Sequence, residues 1–219
     1  MAGPTAAVIV AAELRDYQRI NAEAARLLNG GVQRIRIEGV EGQRLLLWGL
    51  RGDWSAVIEL RGAAGPELAA ELDAAGLTVV CRGPVADGAG RSLQDGRLLL
   101  LDSAGVALGY DQAGGLIVAA GPVGARPGLA QRGGDLVLLG RVGRLAGERQ
   151  RGGRIGYCAE LAGADAGFGA TGGRVCRLPP RLDPLGLAGL DPEDRAMVER
   201  ALNLVNQFQT VNPDVAEPT

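Results

Sequence analysis

Few side chains in this sequence could carry out chemistry. Histidine and lysine are both absent, and all 23 basic residues are arginine. That removes Ser-His-Asp and Cys-His triads, His-ligated zinc, the lysine of a phosphate-binding P-loop and Schiff-base chemistry. Acid–base work falls to carboxylates, Tyr, Cys or Arg. The three cysteines, Cys81, Cys158 and Cys176, form no CxxC pair and are odd in number, which reads as reduced, inert thiols in a cytoplasmic protein. No two carboxylates have a spacing that marks them as an acid–base pair. Asp87, Asp111, Asp135 and Asp165 fall in turns or at strand starts. The glycine-rich stretches could offer backbone N–H groups to a phosphate, but no GxGxxG opens a helix after a strand, so structural bends are the better reading. The expectation is therefore no catalytic residue, no metal and no cofactor held by this chain.

The elements that would position any site come from composition and spacing. The 219 residues suit one domain with appendages. A 47% apolar content supports a sizeable core, built from small and aliphatic groups because aromatics are only 3%. A net charge of −2 gives no nucleic-acid signal. The apolar start soon meets Glu13, Arg15 and Asp16, so neither a signal peptide nor a membrane span is expected.

Thirty-six glycines are a large excess, and they are periodic. The pairs Asp95-Gly96, Gly114-Gly115, Gly133-Gly134, Gly152-Gly153 and Gly172-Gly173 recur at steps of 19, 19, 19 and 20 residues. Each ends a unit G-x-x-G-x-x-x-G-x-x-x-x-G-G. Gly83, Gly121 and Gly140 open units; Gly105, Gly124, Gly143 and Gly163 fill the second column; Gly90, Gly109, Gly128, Gly147 and Gly167 fill the third. Of 24 glycines between 83 and 173, 21 lie in the five columns. Such regularity predicts a parallel β-helix of five or six coils over residues 62–178, each of 19 or 20 residues, right-handed by the general rule for parallel crossovers. Glycine at a bend reaches positive φ and lets neighbouring coils approach.

The strand after each glycine pair supports this. Its second residue is Leu98, Ile117, Leu136, Ile155 and Val175, an aliphatic ladder that belongs inside. Its fourth is Leu100, Ala119, Leu138, Tyr157 and Arg177, which fails at the last coil. Val85, Ala104, Val123, Val142 and Ala162 form a small apolar column, and Gln112, Gln131 and Gln150 predict an amide ladder along the axis. Residues 1–61 read as a small α/β cap: a helix over 14–29 with Tyr17, Ile20, Ala24, Leu27 and Leu28 on one face, then strand-like 32–37 and 42–52. After a Pro-rich linker, residues 179–219 end in a helix capped by Asp191, with Met197, Ala201, Leu204, Val205 and Phe208 on its apolar face.

These residues resemble the GXGXG-motif β-helix domain at the C-terminal end of the glutamate synthase large subunit. The resemblance is carried by ADGAGRSLQDGRLLLL (86–101), GVALGYDQAGG (105–115) and GPVGARPGLAQRGG (121–134). The run RINAEAARLLNGGVQRIRIEGVEGQRLLLWGLRGD (19–53) is similar to the segment that leads into that domain in stand-alone versions. Together the similarity covers about residues 15–178. A related β-helix occurs in the C subunit of formylmethanofuran dehydrogenase.

The resemblance implies a non-catalytic scaffold subunit of a glutamate synthase-like oxidoreductase. It would hold a glutamine amidotransferase subunit against a synthase subunit containing FMN and an iron–sulfur cluster, and would line the ammonia path. Split forms of this kind occur in N-methylglutamate synthase. This chain has no cysteine cluster, nucleophilic N-terminal Cys or flavin barrel, so those groups are expected in the partners. The alternatives are a scaffold of a formylmethanofuran dehydrogenase-type complex, a stand-alone carbohydrate-active β-helix protein, or an assembly protein without enzyme partners. The carbohydrate reading would need long loops, and coils of 19 or 20 residues leave none. Trp48, Arg51, Trp54 and Phe208 are the candidate interface residues, with capping of the first coil and intramolecular helix packing as the alternatives. Seven arginines against two acids in 121–158, and seven acids against two arginines in 183–219, suggest docking of an acidic partner or of the chain's own tail.

Overall fold

The computed structural model describes residues 5–158 and 165–209. Nine strands form one parallel sheet in sequence order: β1 (Ala6–Val10), β2 (Arg34–Glu41), β3 (Ala56–Ala63), β4 (Asp73–Cys81), β5 (Asp95–Leu100), β6 (Leu116–Ala119), β7 (Asp135–Leu138), β8 (Arg151–Tyr157) and β9 (Gly172–Arg177). Helices α1 (Ala11–Leu14) and α2 (Tyr17–Asn29) lie between β1 and β2, while α3 (Pro184–Leu187) and α4 (Pro192–Gln209) follow β9. Parallel neighbours consecutive in sequence require the chain to make a full turn between them. The result is a β-solenoid of about seven turns.

The register follows the repeat columns. Leu98 pairs with Ile117, Ile117 with Leu136, Leu136 with Ile155 and Ile155 with Val175. A second ladder of isolated bridges joins Val85, Ala104, Val123 and Val142 on another side of the coil. Ala162, Glu160 and Gly163 lie outside the described residues. Leu98, Ile117, Leu136 and Ile155 are fully buried in the interior cluster, and Val175 packs against it. In the neighbouring column Leu100, Ala119 and Leu138 are also fully buried, whereas Tyr157 is half-buried and Arg177 exposed.

The solenoid extends beyond the expected five or six coils, because the residues expected to form a separate cap supply β1, β2 and β3 of the same sheet. Their coils are longer: Leu47, Ala69 and Gly90 occupy equivalent places 22 and 21 residues apart, so the 19-residue period does not reach them. The run 42–52 is a corner, with Leu45 and Leu47 at φ of 57° and 59°. Helix α2 closes the N-terminal end of the interior. Asp16 caps it by accepting from the Gln18 N–H at 3.1 Å, and Ile20, Ala24 and Leu28 are buried.

Helix α4 does not close the opposite end. It lies along the outer face of the sheet, over a row in which Val80, Leu99, Val118, Val137, Gly156 and Cys176 are successive partners. Its Met197, Val198, Ala201, Leu204, Val205 and Phe208 form a second core with Val80, Leu99, Val118 and Val137. Dimensions agree: 18 residues span about 27 Å, and five strand spacings from β4 to β9 span about 24 Å. Asp191 caps α4 by accepting from the Glu193 N–H at 2.9 Å. Among the described residues no helix is long and apolar enough to cross a membrane.

Candidate functional site

The glycine columns divide by physical role. Gly90, Gly109, Gly128, Gly147 and Gly167 adopt φ between 65° and 72° at an inward corner position. A Cβ on Gly90 would meet Ile117 Cδ1 at 2.6 Å. Gly96, Gly115, Gly134, Gly153 and Gly173 also have positive φ and press on the preceding coil. The remaining columns, Gly83, Gly121 and Gly140; Gly105, Gly124 and Gly143; and Gly114, Gly133, Gly152 and Gly172, lack positive φ. In most of these a side chain would strike backbone atoms of the coil before, as a Cβ on Gly143 would strike Gly124 C and O at 2.5 Å. Apart from Gly167, where a Cβ would meet nothing within 4 Å, these glycines serve the bends and close stacking of the coils.

The three buried glutamines form the amide ladder. Gln131 Nε2 donates to Gln112 Oε1 at 3.2 Å, and Gln150 Nε2 to Gln131 Oε1 at 2.8 Å. Each amide also donates to carbonyl oxygens of its own glycine pair, such as Gln112 to Gly114 at 2.9 Å and Gln150 to Gly153 at 3.2 Å. The interior therefore satisfies its polar groups internally and is filled at each level.

The cysteines are not activated. Burial pushes each thiol up to about 11. Cys81 donates to the Gly83 carbonyl at 3.4 Å, while Cys158 and Cys176 are half-buried beside the α4 core. A shallow cavity of about 450 Å³ lies between the end of β8 and α3, lined in part by Cys158, Arg177, Pro179 and Gly186. Among the described residues no group of three His, Cys, Asp or Glu could hold a metal ion. Burial opposes ionisation of Glu59, but hydrogen bonds from Arg82 and Arg61 outweigh it and hold the carboxyl below its ordinary value. Arg82 also donates to the Phe208 carbonyl at 3.3 Å, fixing the last turn of α4.

The candidate interface residues separate. Phe208 is buried in the α4 core, so its side chain is taken up within the chain. Trp54 donates to Asn29 Oδ1 at 3.1 Å and packs on the interior cluster, tying α2 to the first turns. Arg51 is exposed and pairs with Asp73 at 2.9 Å. Trp48 is exposed. The basic segment is partly engaged by the chain's own C-terminal helix: Arg154 pairs with Glu193 and, at 4.0 Å, with buried Asp194, and Asp135 pairs with Arg200 at 2.6 Å. Arg174 Nη2 lies 2.7 Å from Asp194.

A surface not anticipated from the sequence lies at the corner of the coils. Trp48, Ala70, Arg91, Tyr110, Leu129, Glu148 and Phe168 stack in one outward column. The N–H of the residue after each, from Gly49 to Arg149, donates to the carbonyl of the next residue in the column, at 2.7–2.8 Å throughout. Trp48, Tyr110 and Phe168 are 44%, 39% and 63% exposed, and Val106 beside Tyr110 is 41% exposed. The signal was available: Arg91, Tyr110, Leu129, Glu148 and Phe168 are the residues after the third glycine of each unit.

No family model matches this chain, and neither a curated protein nor a solved structure matches it.

Proposed function

We propose that this chain is a cytoplasmic, non-catalytic scaffold subunit of a glutamate synthase-like oxidoreductase complex. Its partners would be a glutamine amidotransferase subunit and a synthase subunit carrying FMN and an iron–sulfur cluster. The observation that carries this reading is the filled interior, with aliphatic ladders and a closed amide ladder at successive levels and coils too close for a side chain at the glycine columns. A rod of this kind keeps surfaces at fixed separation, as a spacer between two active sites must. Eight strand steps give it a length of about 38 Å. An ammonia path touching this chain would then run along an outer face and not through the coils.

The test is to tag the chain, purify it from its own host and identify what accompanies it. A flavin absorbance spectrum together with an amidotransferase chain is the expected result. A molybdopterin-containing chain would transfer the role to a formylmethanofuran dehydrogenase-type complex. A lone colourless protein that turns over a polysaccharide would overturn the scaffold reading.

A further inference from the structure

The aromatic column has a symmetry that single residues do not reveal. Counting levels along it, Trp48 is first, Tyr110 fourth and Phe168 seventh, so Trp48 and Phe168 each stand three coils from Tyr110. Charge along the same face is antisymmetric about that centre. On the second level Glu67 and Glu71 share one arginine, Arg91, at 3.3 and 3.1 Å. On the sixth level Arg149 and Arg151 are exposed and, among the described residues, have no carboxylate partner. The neighbouring corner arginines are paired, Arg126 with Glu148 at 3.2 Å and Arg132 with Asp111 at 2.8 Å. One end of the face thus has a carboxylate in excess and the other has two guanidinium groups in excess.

We propose that this corner face binds the same face of a second copy of the chain, about a two-fold axis passing beside Tyr110. Such an axis places each level opposite its mirror level in an antiparallel rod. Tyr110 meets Tyr110, Trp48 meets the second copy's Phe168, and Arg149, the residue after Glu148, meets its Glu71, the residue after Ala70. Isologous pairing satisfies every contact twice, which is how a face with opposite charge at its two ends becomes self-complementary. Six coil steps by about five residues give a face of about 29 Å by 16 Å. Both partners together bury roughly 900 Å², the size of a weak, reversible contact. The dimer is therefore concentration- and salt-dependent.

Sedimentation velocity of the full chain from about 5 to 500 μM, at low and moderate salt, tests this in the concentration range of a weak dimer. The expected result is a monomer–dimer equilibrium that weakens as salt rises. The variant Arg149→Glu should dissociate about tenfold more readily, since two ion pairs become two repulsions. Adding Glu71→Arg to it restores the complementary signs and should recover dimerisation, a result that simple misfolding cannot produce. Tyr110→Ala should weaken the dimer without changing the circular dichroism spectrum. A monomer throughout the range overturns the proposal, as does a dimer indifferent to the charge reversal or a double variant no better than the single.

Discussion

Leu136 and Val137 are adjacent in the chain and belong to different cores. Leu136 points into the solenoid between Ile117 and Ile155, and Val137 points outward between Val118 and Gly156, beneath α4. Both are fully buried. A strand alternates its side chains between two faces, so burial of both neighbours requires cover on both sides. Here the coil covers one side and α4 the other.

The two cores respond differently to mutation. Leu136→Ala leaves a cavity that the rigid coil cannot close and should cost about 2–5 kcal/mol of global stability. Val137→Asp puts a charge under a helix that can lift away, so the solenoid remains folded while α4 loses its seat. Hydrogen exchange should then show residues 192–209 exchanging early, with β5 to β7 still protected. Equal loss of protection in both regions would mean that α4 is integral to the solenoid.

The glutamine ladder supplies a non-additive series. Gln131→Leu leaves the Gln112 oxygen without its Gln131 donor and takes from the Gln150 amide one of its acceptors, at about 1–3 kcal/mol. Leu93 precedes Gln112 by one 19-residue period, so an aliphatic side chain already fits this column one coil earlier. The triple variant with Leu at 112, 131 and 150 should therefore cost less than the sum of the single changes. Urea denaturation of the singles and the triple measures this directly.

The inner face of this fold was legible in the sequence, and the outer face largely was not. Glycine columns and the Leu98 to Val175 ladder fix the register because stacked coils repeat the same contacts at the same positions. The outward row was visible only as unbroken apolar runs such as Leu98 to Leu101. These also satisfy an inside-only reading until something is known to lie above them. The apolar face of α4 was legible, but not its seat on the side of the rod. The N-terminal coils were hidden for another reason. Where a coil has 21 or 22 residues, Leu47 and Ala69 fit the corner position that demands glycine in 19-residue coils, and the repeat loses its marker. The aromatic column suffered from dilution: of the five residues that follow a third-column glycine, Tyr110 and Phe168 are aromatic, while Arg91, Leu129 and Glu148 interrupt them.

Glycine substitutions should divide by place and not by residue type. At Gly153 a Cβ would lie 2.6 Å from the Gly134 oxygen and 2.7 Å from the Gly133 carbon, with φ at 76°. Gly153→Ala must push two coils apart and should cost about 3 kcal/mol or more. Gly31, also at positive φ (82°), has nothing within 4 Å. Gly31→Ala should cost only about 1 kcal/mol, the conformational penalty alone. Thermal melts of the two variants compare them, and similar losses would show that close packing of the coils contributes little.

The thiols give a pH dependence of definite sign. Burial raises each folded thiol from its ordinary value of 9.0 to about 11. The unfolded chain therefore releases these protons first as pH rises. The stabilisation is fully present below pH 9 and is lost progressively between about 9 and 11. Replacing all three cysteines with alanine should flatten the stability profile in that window and leave it unchanged at neutral pH, apart from a constant packing loss. The same shift governs reactivity, because the thiolate is the reacting form. At pH 8 a thiol of pKa 11 has about one hundredth of the thiolate of one at 9, so the folded protein should react with a disulfide reagent about a hundredfold more slowly than the denatured chain. Any cysteine that reacts at the denatured rate in the native protein would show that its pocket opens to solvent.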